Sequence, residues 1–311
     1  MLDVPLFRNR LPFFVEGYLH TFGCMFLPSI IVKIIYQILH PILLILPLNH
    51  TNIPRCTFGA PPQTKTESAL PLVVWSHGLT GTGCEHGLLA ATLALSGCVV
   101  ALPHHSDGSS SMTDIGEARK KLKYKQPDYK NYDSAFRQKQ AEHRASEVEE
   151  ARKLCLNHAQ IKHLLDVDKV VVAGFSFGAA TAGIVASTNP GAYKAAMLID
   201  GWWHIHFPKF GLDVNLPTQM HDQGVSIPTL FVGSEEFQKN VRLNQATEEV
   251  QAKTPKREVH VLEHTNHGSF IDTTFWLPKW FHRAVGPPRD QQEVYGHFIG
   301  LTIAFVKKHA P

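Results

Sequence analysis

The chain has few cysteines for its length and no C-x-x-C pair. Cys24, Cys56, Cys84, Cys98 and Cys155 are scattered and odd in number, which argues against a disulfide framework and favours a reducing compartment such as the cytoplasm. None sits in a nucleophile setting, so they read as small buried hydrophobes. Charge is also sparse: 18% of 311 residues are charged, with a net +3, too little to indicate a nucleic-acid partner. Internal repeats are absent. The first residues, MLDVPLFRNR, lack the apolar stretch and small-residue cleavage site of a secretory signal, so none is expected. What remains is 44% hydrophobic, a composition suited to one globular α/β domain with a large core.

No uninterrupted apolar run spans a bilayer's length, because Pro41 and Pro47 break the run that ends at Leu48. Its first part, Ser29–His40, predicts a helix: Pro28 precedes it, Ser29 can cap it and Pro41 stops it. Ile30, Ile31, Ile34, Ile35 and Ile38 share a broad apolar face, while Lys33, Gln37 and His40 form a narrow polar stripe. Such a helix is about 18 Å long, against a hydrocarbon core of about 30 Å. A lipid-facing interfacial helix is the leading expectation. A hydrophobic cover over the site and core is the second, and a spanning helix the third. Residues 1–50 thus read as an apolar, lipid-facing segment and residues 51–311 as the catalytic domain.

The organising stretch is Lys169–Ser187, KVVVAGFSFGAATAGIVAS. A β-branched run suited to a buried strand leads into Gly174-Phe175-Ser176-Phe177-Gly178, and a small-residue helix follows. Strand, G-x-S-x-G, helix is the pattern of a nucleophile elbow, with glycines permitting the sharp turn. Upstream, Leu72–Trp75 predicts a strand running into Ser76-His77-Gly78-Leu79-Thr80-Gly81. A Gly-rich loop there suits an oxyanion hole, with the N–H groups of Leu79 and Phe177 as donors. His77 reads as a structural hydrogen bonder.

Further strands are predicted at Val99–Leu102, Ala195–Ile199, Thr229–Gly233 and Glu258–Leu262, with helices at His86–Ser96, Ala135–Leu165 and from Asp290 onward. The alternation implies a mostly parallel sheet covered on both faces. On the long helix, Ala141, Ala145, Val148, Ala151 and Cys155 mark the inner face and Glu142, Arg144, Glu149 and Lys153 the wet one. Lys120–Lys130 reads as a solvated loop or a contact for anionic headgroups. His104 and His105 sit in a loop without zinc spacing, and His204-Ile205-His206 has no evident third ligand. No metal or cofactor is expected.

A serine needs an adjacent base, and the base a carboxylate to fix its tautomer. In this fold the order is serine, acid, histidine. Ser176, Asp200 and His267 obey it, each after a predicted strand. Glu235 or Glu236 could replace Asp200 as the acid, and His264 could replace His267. The aromatics Trp202, Trp203, Phe207, Phe275, Trp276, Trp280 and Phe281 are either core or a greasy rim.

These segments resemble one family of α/β-hydrolases, the platelet-activating factor acetylhydrolases. LPLVVWSHGLTGT resembles its strand and oxyanion loop. ALPHHSDGSSS resembles E-H-R-D-x-S-A, with His105 where the family usually has arginine. GFSFGAAT resembles G-H-S-F-G-G-A-T, with Phe175 in place of a histidine outside the triad, a change expected to be tolerated. LIDGWW resembles L-D-x-W and favours Asp200 over Glu235. IPTLFVGSEEF and EHTNHGSFIDTTF resemble the segments that follow, the latter bearing the family's histidine. The resemblance implies a calcium-independent serine esterase that removes short or oxidised sn-2 acyl chains from phospholipids, peripherally attached to lipid, with Ser29–His40 as the surface helix. It also implies edge strands ahead of VPLFRNRLPFFVEGY, where this chain starts. Oligomeric state is open.

Overall fold

The computed structural model describes residues 68–115, 120–128, 133, 135–207, 212–272 and 290–311, together with Thr21. The Ser29–His40 segment with Ile30, Ile31, Ile34, Ile35 and Ile38, and the aromatics Phe275, Trp276, Trp280 and Phe281, lie outside the described residues. Among the described residues no helix is long and apolar enough to cross a membrane.

Among the described residues a six-stranded parallel sheet forms the centre. Its strands are β1 (Leu70–Ser76), β2 (Val99–Ala101), β5 (Leu165–Phe175), β6 (Ala195–Ile199), β9 (Thr229–Ser234) and β10 (Arg257–Leu262), in the order β10-β9-β6-β5-β1-β2. β1 from Pro71 and β5 from Val170 are buried on both faces, which is why those stretches are nearly continuously apolar rather than alternating. Leu72, Val74, Val170 and Val172 point to one core; Val73, Trp75, Val171 and Ala173 point to the other. Each such valine or leucine side chain contributes roughly 1.5–3 kcal/mol by leaving water.

Helices α2 (Phe136–Asn157), α3 (Phe177–Thr188), α4 (Thr218–Gln223) and α6 (Val241–Ala252) cover the first face. Helices α1 (Gly87–Leu95) and α7 (Gln291–His309) cover the second. Asp290 caps α7 by accepting from the N–H groups of Gln292 and Glu293. Val294, Phe298 and Phe305 of α7 are buried, and Leu301 half-buried.

The long helix ends at Asn157, short of the expected Leu165. His158 is extended, a short 3-10 turn follows at Lys162–Leu164, and Leu165 already begins β5. Part of the lysine-rich segment is not loop: β4 (Lys120–Lys123) pairs antiparallel with β3 (Met112–Ile115) and carries Lys120, Lys121 and Lys123 outward. A second hairpin, β7 (His204–Phe207) with β8 (Leu212–Asn215), follows β6. The chain adds β2 on one side of β1 and every later central strand on the other. The carboxyl ends of β1 and β5 therefore lie at a topological switch point, where open α/β sheets keep their sites.

Candidate active site

Ser176 sits between β5 and α3 with φ 58° and ψ −121°. A non-glycine residue there is strained, and the surroundings must hold it. The flanking glycines let them do so. A Cβ on Gly174 would stand 2.1 Å from the Gly178 carbonyl oxygen, and one on Gly178 would stand 2.0 Å from the Ser76 oxygen. The turn thus brings α3 against β1 at backbone contact, with the serine at the apex.

Asp200 follows β6 and is also in the left-handed region, with φ 44°. Its Oδ1 accepts from the Ser234 N–H at 2.7 Å and its Oδ2 from the Ser234 hydroxyl at 2.9 Å. His267 opens the 3-10 turn His267–Phe270 after β10. Its Nδ1 lies 2.6 Å from Asp200 Oδ2 and its Nε2 lies 2.9 Å from Ser176 Oγ. An ionised carboxylate can only accept, so Nδ1 carries the proton and Nε2 offers its lone pair to the serine O–H.

The rivals fall elsewhere. Glu236 Oε2 accepts from the His267 N–H at 2.7 Å, and Glu235 Oε2 from the His264 N–H at 2.6 Å. Both carboxylates therefore hold the histidine loop rather than its ring. His264 is exposed, near Glu235 and not Ser176.

The imidazole of His267 is also clamped between two rings: Phe175 at 4.6 Å and 26°, and Phe237 at 4.3 Å and 10°. Phe237 belongs to α5 (Glu235–Lys239), whose N-cap is Ser234. One serine thus caps a helix and grips the acid. Phe175 lies outside the three polar groups, but it touches the histidine directly.

Leu79 and Phe177 occupy the loop after β1 and the first turn of α3. Among the described residues neither N–H has a hydrogen-bond partner. The β1 loop is fixed from below by Arg144, which is fully buried and not on a wet face as expected. Its Nη1 donates to the His77 carbonyl at 2.7 Å, its Nη2 to the Gly78 carbonyl at 3.2 Å and its Nε to Ser109 Oγ at 2.7 Å. Asp107 Oδ2 lies 3.5 Å from Nε, and the guanidinium covers the Phe177 ring at 4.7 Å. Burial lowers its pKa to about 10, which leaves it charged at neutral pH. The inner-face spacing of Ala141, Ala145 and Val148 includes position 144; residue type alone hid it.

His77 is buried, with Nδ1 2.8 Å from the Gly78 carbonyl and Nε2 3.2 Å from Ser110 Oγ. His105 bridges Ser76 Oγ at 2.8 Å and Glu147 Oε2 at 2.7 Å. Burial, then Arg144, push both rings well below the usual histidine range. Of the aromatics, Trp203 is core and packs on Phe231, while half-buried Trp202 meets Phe177 edge-on at 6.0 Å. The Phe207 side chain is outside the described part. Of the cysteines, Cys98 and Cys155 are free thiols; burial pushes Cys98 up to about 11.

A doubly covered parallel sheet with a strained serine at a strand-to-helix turn makes this an α/β-hydrolase. Comparison with known proteins goes one step further. The chain belongs to the family described as platelet-activating factor acetylhydrolase, isoform II, which matches residues 36–310. It is similar to the platelet-activating factor acetylhydrolase of Canis lupus familiaris, 27% identical over 242 residues, which are 69% of this chain and 51% of that one. It is also similar to that of Gallus gallus, 24% identical over 277 residues, 77% of this chain and 62% of the relative. The chain therefore spans about half to three-fifths of the length of these curated relatives. Among solved structures, a ferulic acid esterase from Streptomyces cinnamoneus superposes with a TM-score of 0.55 at 18% identity, over 79% of this chain and 68% of that one. That likeness concerns the fold alone.

Proposed function

We propose that this chain is a carboxylic ester hydrolase whose nucleophile is Ser176, whose base is His267 and whose acid is Asp200, and that it cleaves the sn-2 ester of phospholipids with short or oxidised acyl chains. The observation that carries the reading is the His267 ring, set between the Ser176 hydroxyl at 2.9 Å and the Asp200 carboxylate at 2.6 Å. Those contacts suit proton transfer from Oγ to Nε2 as the hydroxyl attacks an ester carbonyl. Asp200 then steadies the imidazolium through Nδ1–H. The N–H groups of Leu79 and Phe177 would receive the oxyanion, each worth about 3–4 kcal/mol of transition-state stabilisation. Collapse of the tetrahedral intermediate expels the lysophospholipid, which takes the proton from His267. Water activated by the same ring then hydrolyses the acyl-serine.

The phospholipid substrate rests on membership in the family and on the names of the curated relatives. Peripheral attachment to a lipid surface through Ser29–His40, on the cytoplasmic side, belongs to the same proposal. The test is hydrolysis of phosphatidylcholines differing only in sn-2 chain, with and without a calcium chelator. The expected result is fast release of short and oxidised chains, unaffected by the chelator and lost in Ser176→Ala. Exclusive cleavage of long-chain acylglycerols would move the assignment to another ester class. Full activity in Ser176→Ala would end it.

A further inference from the structure

The β7–β8 hairpin gathers side chains that ester hydrolysis does not use. His204 and His206 are two residues apart on one strand, so they share a face. The antiparallel register sets Asp213 opposite His206 and Asn215 opposite His204. Ile205, between the histidines, is buried in the core, so the histidine face is the outer one. Sequence spacing alone offered no third ligand; cross-strand pairing supplies it.

His204 Nε2 lies 2.6 Å from Asp213 Oδ1, and His206 Nδ1 lies 3.6 Å from the same oxygen. The possible ligand atoms of all three residues fall within 4.8 Å of one another. On its other side His204 Nδ1 lies 2.8 Å from Asn215 Oδ1. That amide oxygen can only accept, so Nδ1 carries the proton. A neutral ring would then aim its Nε2 lone pair at a carboxylate oxygen. Either a proton on Nε2 or a metal ion must then stand between Nε2 and Oδ1, which are 2.6 Å apart. Arg242 Nη2 stands 3.7 Å from Oδ2, the other carboxylate oxygen, and leaves Oδ1 to the histidines.

We propose that His204, His206 and Asp213 form a binding site for a divalent ion of the zinc class, with Asn215 fixing the His204 tautomer from behind. Two imidazoles and one carboxylate are borderline donors suited to Zn²⁺. Bond lengths of about 2.0–2.2 Å at a tetrahedral centre put donor atoms about 3.3 Å apart. The His204–Asp213 gap of 2.6 Å must open and the His206–Asp213 gap of 3.6 Å must close slightly, each by less than about 1 Å, within the reach of side-chain torsions. Asn215 plays the outer partner that orients a ligating histidine. The ion would clip two strands of a hairpin that, among the described residues, pairs with no third strand, and such a ribbon is marginal by itself. Its role is structural: the ion takes no part in the ester chemistry proposed for Ser176, so hydrolysis should persist without it.

The test uses the full chain after treatment with a chelator. Zn²⁺ is titrated in competition with a chromophoric chelator, Co²⁺ is added separately for its visible absorption, and thermal melts are recorded with and without Zn²⁺. One Zn²⁺ per chain should bind, and it should raise Tm. His206→Ala and Asp213→Asn should each abolish the titration, the Co²⁺ band and the rise in Tm. Their side chains are 41% and 46% exposed, so the metal-free melts of these variants should match the parent's. Asn215→Ala should weaken binding about 10–100-fold, and Arg242→Ala should not weaken it. Zn²⁺ binding that survives the double variant His206→Ala/Asp213→Asn overturns the site. So does a parent chain that binds no Zn²⁺, or binds Cu²⁺ alone.

Discussion

His267 is held on every side, and each contact has its own measurable consequence. Asp200 and Ser176 take its two nitrogens, Glu236 takes its backbone N–H, and Phe175 and Phe237 close on its faces. A ring kept in plane between two others cannot swing away from the serine without losing stacking on both sides. Phe237→Ala is therefore expected to lower kcat about 10–100-fold through loss of alignment, with KM nearly unchanged. Phe237→Tyr, which keeps the stack, should restore most of the rate; equal losses in both variants would sever the stack from catalysis. In the proposed triad Asp200→Asn allows the wrong tautomer and should cost about 10⁴ in kcat, measured on a short-chain ester. Ser234→Ala removes one of the acid's two Ser234 contacts and the α5 cap together, so both rate and Tm should fall.

At the scale of elements, α2 is a support for the loop after β1. Arg144 alone reaches the carbonyls of His77 and Gly78, the hydroxyl of Ser109 and the face of Phe177. The Gly78 carbonyl it holds belongs to the peptide that carries the Leu79 N–H, the proposed oxyanion donor. Arg144→Met strands Asp107 as a buried charge and should destabilise the fold by about 3–5 kcal/mol, read from urea unfolding. Arg144→Lys keeps the charge but not the fork. It should retain more stability while kcat falls by up to about 10²–10³, the worth of one oxyanion donor. A Lys variant with parental kcat would show that the loop needs only a cation. The contact between α3 and β1 is equally unforgiving: Gly178→Ala puts a methyl 2.0 Å from the Ser76 oxygen, and loss of soluble folded protein is expected, checked by circular dichroism of the purified chain.

Across the whole molecule, two buried acids join the histidine loop to the β1 side of the site. Asp272 accepts from the Leu88 N–H at 2.7 Å and from the Tyr295 hydroxyl, while its own N–H donates to the Glu85 carbonyl at 2.7 Å. Burial raises Glu85 to about 8 and Asp272 to about 7. Both values lie above those of the unfolded chain, so the native state keeps protons that the unfolded state has released. Their contribution is complete below about pH 4 and declines as pH rises toward about 7–8. Between about pH 5 and about 6.5 the buried rings of His77, His86 and His105, held below the usual histidine range, work the other way. From about pH 6.5 to about pH 8 the acids dominate, so Tm should fall with pH there, and Glu85→Gln, neutral throughout, should flatten that decline. An unchanged slope in Glu85→Gln would assign the loss to other groups.

The amino-acid sequence by itself determined the sheet and which side chains stand at its strand ends. Continuous β-branched runs can only be strands buried on both faces, and G-x-S-x-G after such a run can only turn sharply. The order Ser176, Asp200, His267 was legible for the same reason. Chain order put Asp200 ahead of Glu235 and Glu236 and a resemblance supported it over Glu235, but only packing separates their contacts: one carboxylate faces the ring while the other two face backbone N–H groups. Arg144 was misjudged because charge argues for water until a cage of carbonyls and Asp107 replaces it. The Phe175–His267–Phe237 stack and the pairing of Asp213 with two histidines stayed hidden because strand register and loop return bring together residues far apart along the chain. Spacing within one segment carries no information about the segment that will fold against it.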